Sequence, residues 1–218
     1  MSIQCLLFDL DGTLVDTIRD ITNALNHGLN SAGIRQLSIE EIKVLVGEGI
    51  TKLIEKVLGE EKKQFREDVK DIFLGYYNDH LVDYSSVYPS VKETLARLVN
   101  YRKAVISNKR EHLSRGILHK LDLLQFFDLV VGSDTAPQKK PSAIPVLYVL
   151  QKLGISPEEA VMIGDSNFDI IAGKNAGVTT VAVTYGYRER KDLVDADYMV
   201  EVFDALPAVL DRISSKLI

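Results

Sequence analysis

The chain has 218 residues, 46% of them hydrophobic and 26% charged, the balance of a soluble globular protein with room for one core and a smaller insertion. A net charge of −5 argues against a nucleic-acid footprint, and no apolar run approaches the ~18 residues of a membrane helix. The single cysteine, Cys5, excludes an intrachain disulfide; the N-terminus lacks the basic and continuously apolar segments of a signal peptide, so the expected compartment is the cytoplasm.

The first predicted strand is Ile3–Phe8, an apolar run broken by Gln4, in which Cys5 is expected to pack rather than react. It leads straight into Asp9-Leu10-Asp11-Gly12-Thr13. An extended chain turns residues i and i+2 to one side, so Asp9 and Asp11 are expected to crowd together at a cost in stability. Something positive should compensate them.

From Asp16 to Val82 the pattern is helical only. Ile18, Ile21, Leu25 and Leu29 mark one face, followed by Ile42, Leu45 and Val46, then Leu53, Ile54 and Val57. A charged segment, Glu60 to Asp71, continues into Ile72, Phe73, Tyr76 and Tyr77. This predicts an all-helical subdomain over residues 16–82 inserted into a core made of residues 1–15 and 83–218. The two crossings, Leu14–Asp16 and Val82–Pro89, are hinge candidates.

Further strands are predicted at Ala104–Ser107, Leu129–Gly132, Val161–Gly164 and Thr180–Thr184, with a weaker one at Tyr198–Val200. Helix-period segments separate them. Leu113, Ile117 and Leu121 mark one; Pro145 opens the next, which carries Leu147, Leu150 and Leu153 and stops at Gly154; a third runs from Asn167 to Ala176, capped by Gly177. Strand alternating with helix predicts an α/β fold, a Rossmann-like parallel sheet with right-handed crossovers.

Ligands of such sheets bind outside the carboxyl ends of the strands. Here each end is polar: Asp9 and Asp11, then Ser107-Asn108, then Lys139-Lys140-Pro141 beyond the third strand, then Gly164-Asp165-Ser166 with Asp169 a turn later. Three carboxylates, Asp9, Asp11 and Asp165, suit Mg²⁺, a hard cation that takes one or two carboxylates, water and a substrate phosphate. Lys140 adds a cation for phosphate and Ser107 a hydroxyl donor, so the set predicts a phosphoryl site. Lys139 is expected to be a solvated neighbour. His27, His80, His112 and His119 have no metal-ligand spacing, and no P-loop is present, which disfavours an NTPase.

Asp9-Leu10-Asp11-Gly12-Thr13, Ser107-Asn108, Lys140-Pro141 and Gly164-Asp165-Ser166-x-x-Asp169 resemble, in order, the four motifs of the haloacid dehalogenase superfamily. Tyr88-Pro89-Ser90-Val91 and Tyr185-Gly186-Tyr187 are similar to its phosphatase branch, and the helical insertion resembles that branch's cap. The resemblance implies that Asp9 is a nucleophile forming an aspartyl-phosphate and Asp11 the general acid and base. It implies Mg²⁺ held by the Asp9 carboxylate, the Asp11 main-chain carbonyl and Asp165, with Ser107 and Lys140 stabilising the phosphoryl oxygens. Thr13, Asn108, Ser166 and Asp169 would support the site. True dehalogenases of this type lack the second acid, so Asp11 favours phosphate esters.

Val46-Gly47-Glu48-Gly49-Ile50 resembles the cap loop of phosphoglycolate phosphatases, which implies that Gly47, Glu48 and Gly49 set specificity for a small phosphorylated metabolite. Those phosphatases often carry a small amide residue where Glu48 stands. The alternatives are a phosphomutase of the β-phosphoglucomutase type, a pyrophosphatase or nucleotidase of the same superfamily, and, least favoured, a phospho-Asp signalling module. No membrane or nucleic-acid partner is expected, and monomer and dimer are both open.

Overall fold

In the computed structural model, which describes residues 2–216, the chain begins with β1 (Cys5–Phe8) and a two-residue strand, β2 (Val15–Asp16). Four helices follow without an intervening strand: α1 (Ile18–Ser31), α2 (Ile39–Lys43), α3 (Ile50–Leu58) and α4 (Arg66–Asp79). The chain returns through β3 (Ser86–Val87) and α5 (Val91–Arg97). Strand and helix then alternate through β4 (Arg102–Ile106), α6 (Glu111–Lys120), β5 (Leu129–Val131), α7 (Ile144–Leu153), β6 (Ala160–Gly164), α8 (Asn167–Ala176) and β7 (Thr179–Val183), ending with β8 (Tyr198–Val200) and α9 (Leu206–Lys216).

Six strands form one parallel sheet in the order β5-β4-β1-β6-β7-β8. The chain builds outward on one side of β1, then crosses back and builds outward on the other. That reversal makes the carboxyl ends of β1 and β6 a topological switch point, where an open α/β sheet leaves a crevice for ligands.

All four residues of β1 are buried, and successive side chains join opposite faces of the sheet. Leu6 and Phe8 join one apolar cluster; Cys5 and Leu7 join the other, with Ala104, Ile106, Val146, Leu150 and Met162. Cys5 is fully buried, and that burial pushes its thiol up to about 12, so it packs as expected. The insertion has no separate core. Leu25, Leu29, Ile42, Ile54, Phe73 and Tyr77 belong to the same continuous apolar cluster as Leu6, Phe8 and Val105.

Strand ends fall within two residues of the sequence expectation. Two features go beyond that expectation. The segment Glu60–Asp71 is not one helix: α4 begins at Arg66, whose guanidinium donates to the Gly59 carbonyl and to Glu60, tying down the preceding turn. The two crossings, the hinge candidates, pair as an antiparallel ribbon, Val15 opposite Val87 and Asp16 opposite Ser86. Asp20, buried in the first turn of α1, fastens this ribbon by accepting the Tyr84 and Ser85 N–H groups and the Ser85 hydroxyl, at 3.0, 2.8 and 2.6 Å. Replacing it takes the acceptor from the Tyr84 and Ser85 N–H groups and leaves the Ser85 hydroxyl only the Leu81 carbonyl at 3.3 Å. Asp20→Ala is expected to lower the stability by about 1.5–3 kcal/mol in urea denaturation; an unchanged midpoint would show that the ribbon is held by other contacts.

Candidate active site

The ends of β1 and β6 deliver two acids side by side. Asp9 follows Phe8, Asp165 follows Gly164, and the first turn of α8 adds Asp169; one carboxylate oxygen of each lies within 4.8 Å of the others. Lys140, 2% exposed, reaches between them from the loop before α7. Its Nζ lies 2.8 Å from Asp9 Oδ1 and 2.6 Å from Asp169 Oδ1.

Burial opposes a charged amine, yet Asp169 and Asp9 outweigh it and hold the Lys140 ammonium above the usual lysine range. Burial and the Asp169 charge push Asp9 well above the carboxylate range, against the pull of Lys140. The same two causes bring Asp165 up to about 7.

Asp9 and Asp165 each have one oxygen firmly committed. Asp9 Oδ1 accepts the Leu10 N–H at 2.7 Å as well as Lys140, while Oδ2 has no hydrogen bond among the described residues. Asp165 Oδ2 accepts the Tyr187 N–H at 2.6 Å, and Oδ1 meets only the Thr13 hydroxyl at 3.4 Å. Both Asp169 oxygens are taken, Oδ1 by Lys140 and Oδ2 by the Ser166 N–H and hydroxyl in a capping box. Asp169 therefore orients Lys140. The packing is close: a Cβ on Gly164 would stand 2.2 Å from the Asp169 carboxyl carbon, and one on Gly12, at φ +83°, 2.4 Å from Asp165 Oδ2. Only glycine fits either place.

Asp11 does not crowd Asp9. The strand ends at Phe8, and the chain folds back so that the Leu10 carbonyl accepts N–H groups from Thr13, Leu14 and Val15. Asp11 Oδ1 accepts the Thr17 hydroxyl at 2.5 Å and pairs with Lys109 Nζ at 3.2 Å. The two acids thus have separate cations. Lys109 also donates to the Tyr77 hydroxyl of α4 at 2.7 Å, joining Asp11 to the insertion. Burial opposes its charge, but Asp11 and Tyr77 hold it above the ordinary lysine range.

Ser107 is buried beside the cavity, with its oxygen accepting the Lys109 N–H at 3.2 Å. Asn108 donates to the Lys140 carbonyl at 2.9 Å and to the Gly47 carbonyl at 2.8 Å, so one amide holds the lysine loop and the Gly47-Glu48-Gly49 loop together. Lys139 departs from its expected solvated state: half-buried, it donates to the Glu48 carbonyl. Arg188 donates to the carbonyls of Lys43 and Val46. Gly47 and Gly49 line the cavity, whereas the Glu48 carboxylate is paired with Lys56 of α3 and is not part of the lining.

The cavity has a volume of about 580 Å³ and opens between the strand ends and the helices above them. Asp9, Asp11, Ser107 and Asp165 form its floor; Ile21, Leu53, Phe73, Leu74 and Tyr77 form apolar walls.

The family model of haloacid dehalogenase-like hydrolases matches residues 6–183. The chain belongs to this family. It is 42% identical over 186 residues to a phosphoglycolate phosphatase of Aquifex aeolicus, covering 84% of this chain and 86% of the relative. It is 38% identical over 214 residues to a phosphoglycolate phosphatase of Chromobacterium violaceum, covering 94% and 96%. A crystal structure of a predicted phosphoglycolate phosphatase from Haemophilus somnus superposes with a TM-score of 0.91 at 29% identity, covering 96% of this chain and 98% of that one. This haloacid dehalogenase-like hydrolase is an enzyme of the phosphoric monoester hydrolase type.

The donor set fits a hard divalent cation. Three buried carboxylates face one ammonium, oxygens of Asp9 and Asp165 remain available on the cavity floor, and a bound cation would offset the burial and like charge that push those two acids toward their neutral forms. The sequence-predicted Asp9, Asp11, Thr13, Ser107, Asn108, Lys140, Asp165, Ser166 and Asp169 converge on this hydrolase's cavity or its supports. Lys109, Thr17, Tyr77 and Arg188 were not foreseen. Lys109 had a signal, a lysine directly after Ser107-Asn108; Tyr77 looked like any apolar helix position, and its hydroxyl role depends on a contact 32 residues away in sequence. Lys109→Met should lower the stability by about 1.5–3 kcal/mol in urea denaturation, because Asp11 loses its cation. Combining it with Asp11→Asn should cost less than the two changes summed, by at least 0.5 kcal/mol; strict additivity would show that the pair is not coupled.

Proposed function

We propose that the enzyme hydrolyses a small phosphate monoester, with phosphoglycolate as the model substrate, through an aspartyl-phosphate on Asp9. The observation carrying this reading is the asymmetry of the Asp9 carboxylate. One oxygen is pinned by Lys140 and the Leu10 N–H, and the other faces the cavity without a partner. A pinned carboxylate with one free oxygen has the orientation a nucleophile needs.

In this reading Asp9 Oδ2 attacks phosphorus and the ester oxygen leaves with a proton from Asp11. Asp11 then takes a proton from water, which attacks the phosphorus of the acyl phosphate and restores the Asp9 carboxylate. The Thr17 hydroxyl and Lys109 hold Asp11 in place for both transfers. Ser107 and the Lys140 ammonium stabilise charge on the phosphoryl oxygens. Asp9, Asp165 and the Asp11 main-chain carbonyl would hold Mg²⁺, which supplies positive charge to the phosphoryl group.

Residues 16–82 would act as a cap hinged at the β2–β3 ribbon, closing over the leaving group and excluding water. The Gly47-Glu48-Gly49 loop would bound the leaving group mainly through its main chain. The names of the relatives support a glycolate leaving group. Glu48 is compatible with it, because its charge is matched by Lys56 away from the cavity rather than set against a substrate carboxylate.

Phosphate release from 2-phosphoglycolate and a panel of small phosphate esters tests the proposal. Release should require Mg²⁺ and fall by roughly 10³-fold or more in Asp9→Asn. Near-normal turnover in that variant would overturn the covalent reading, and activity indifferent to chelation would overturn the metal.

A further inference from the structure

The insertion contributes Ile21, Val46, Gly47, Gly49, Ile50, Thr51, Leu53, Phe73, Leu74 and Tyr77 to the cavity, and none of these side chains is charged. A charge on the leaving group must therefore be recognised from the sheet side. Four cations line that side: Lys109, Arg110, Lys139 and Arg188. Three are occupied. Lys109 is held by Asp11 and Tyr77, Lys139 by the Glu48 carbonyl, and Arg188 by the carbonyls of Lys43 and Val46.

Arg110 is different. Half-buried on the turn from β4 into α6, three residues past Ser107, its guanidinium makes no hydrogen bond or ion pair among the described residues. Neighbouring acids do not claim it. Glu111 pairs with Arg115 at 2.7 Å and accepts the Thr135 hydroxyl at 2.6 Å, while Asp134 accepts the Glu111 N–H at 2.8 Å. The Arg110 main chain is fixed, since its carbonyl accepts both the N–H and the hydroxyl of Ser114. A charged fork on a fixed stem thus opens onto the cavity that holds Asp9 and Ser107.

We propose that Arg110 binds a carboxylate on the leaving group and is the residue by which the site distinguishes carboxylated from neutral phosphate monoesters. The proposal rests on the phosphatase reading and names the residue that selects its substrate class. A guanidinium offers paired N–H donors in a plane that matches the two oxygens of a carboxylate. A single unpaired cation balances one negative charge. A second phosphate would call for more, and the leading N–H of α6 is already taken by Asp134. A neutral leaving group would gain nothing from Arg110 and would leave its charge unmatched beneath an apolar roof.

The test compares two phosphonates as inhibitors of aryl phosphate hydrolysis, 3-phosphonopropionate with its carboxylate and propylphosphonate without one. Taking the ratio of inhibition constants within each protein cancels changes in phosphoryl or metal binding that both inhibitors share. Wild type should bind the carboxylated compound at least tenfold more tightly. R110Q should abolish that preference, and R110K, which keeps the charge but loses the fork, should retain part of it. A preference unchanged in R110Q, or absent from the wild type, would overturn the assignment. If the wild type hydrolysed no ester at all, the phosphatase reading would fall, while calorimetric binding of the same two phosphonates would still decide the role of Arg110.

Discussion

Three carboxylates lie buried where β1 and β6 end and α8 begins, and the Lys140 ammonium lodged against two of them is the contact on which the site depends. Burial alone drives Asp9 and Asp165 toward their neutral forms. Lys140 works against this at Asp9, and Asp169 in turn keeps Lys140 charged and aimed. The capping box that starts α8 fixes Asp169, so a local helix-start interaction controls where the lysine points. Removing Lys140 would leave three acids facing one another in a nearly closed space. Without a cation those acids would be driven further toward their neutral forms.

The rest of the architecture brings this contact under the helical insertion. The switch point between β1 and β6 sets Asp9 beside Asp165, and the turn after β4 supplies Ser107, Asn108 and Lys109 in succession. Asn108 is one link between the halves, since its amide holds the Lys140 carbonyl and the Gly47 carbonyl at once. Lys139 and Arg188 fasten the same loop, and Lys109 reaches Tyr77. Four side chains of the sheet region thus grip the insertion at the mouth of the cavity. Opening the site would break bonds made by residues adjacent to Ser107 and Lys140, which couples the insertion's position to the state of the site.

Much of this was readable in the sequence because apolar runs ending in acids mark strand ends, and strand ends mark the ligand crevice. The alternation from Ala104 to Thr184 gave the parallel sheet, and helical periodicity gave the insertion. The local reasoning about Asp9 and Asp11 went only part of the way. Period-two logic put them on one side, but the strand stops at Phe8, and each acid found its own lysine, Lys140 for one and Lys109 for the other. Neither partnership follows from spacing, because each depends on where a distant loop or strand end comes to rest. The side chain of Glu48 likewise looked like a substrate contact until α3 placed Lys56 within reach of it. The unpaired state of Arg110 was illegible for the same reason: a missing partner shows only when all the neighbours are in view.

In the proposed reaction the carboxylate of Asp9 receives the phosphoryl group. The most direct test of that step is to quench the enzyme during turnover of an isotopically labelled phosphate ester, reduce the trapped acyl phosphate with borohydride, and map the modified peptide by mass spectrometry. The account predicts one modification, the conversion of Asp9 to homoserine, dependent on substrate. Modification of another carboxylate, or none at all while phosphate is being released, would contradict it.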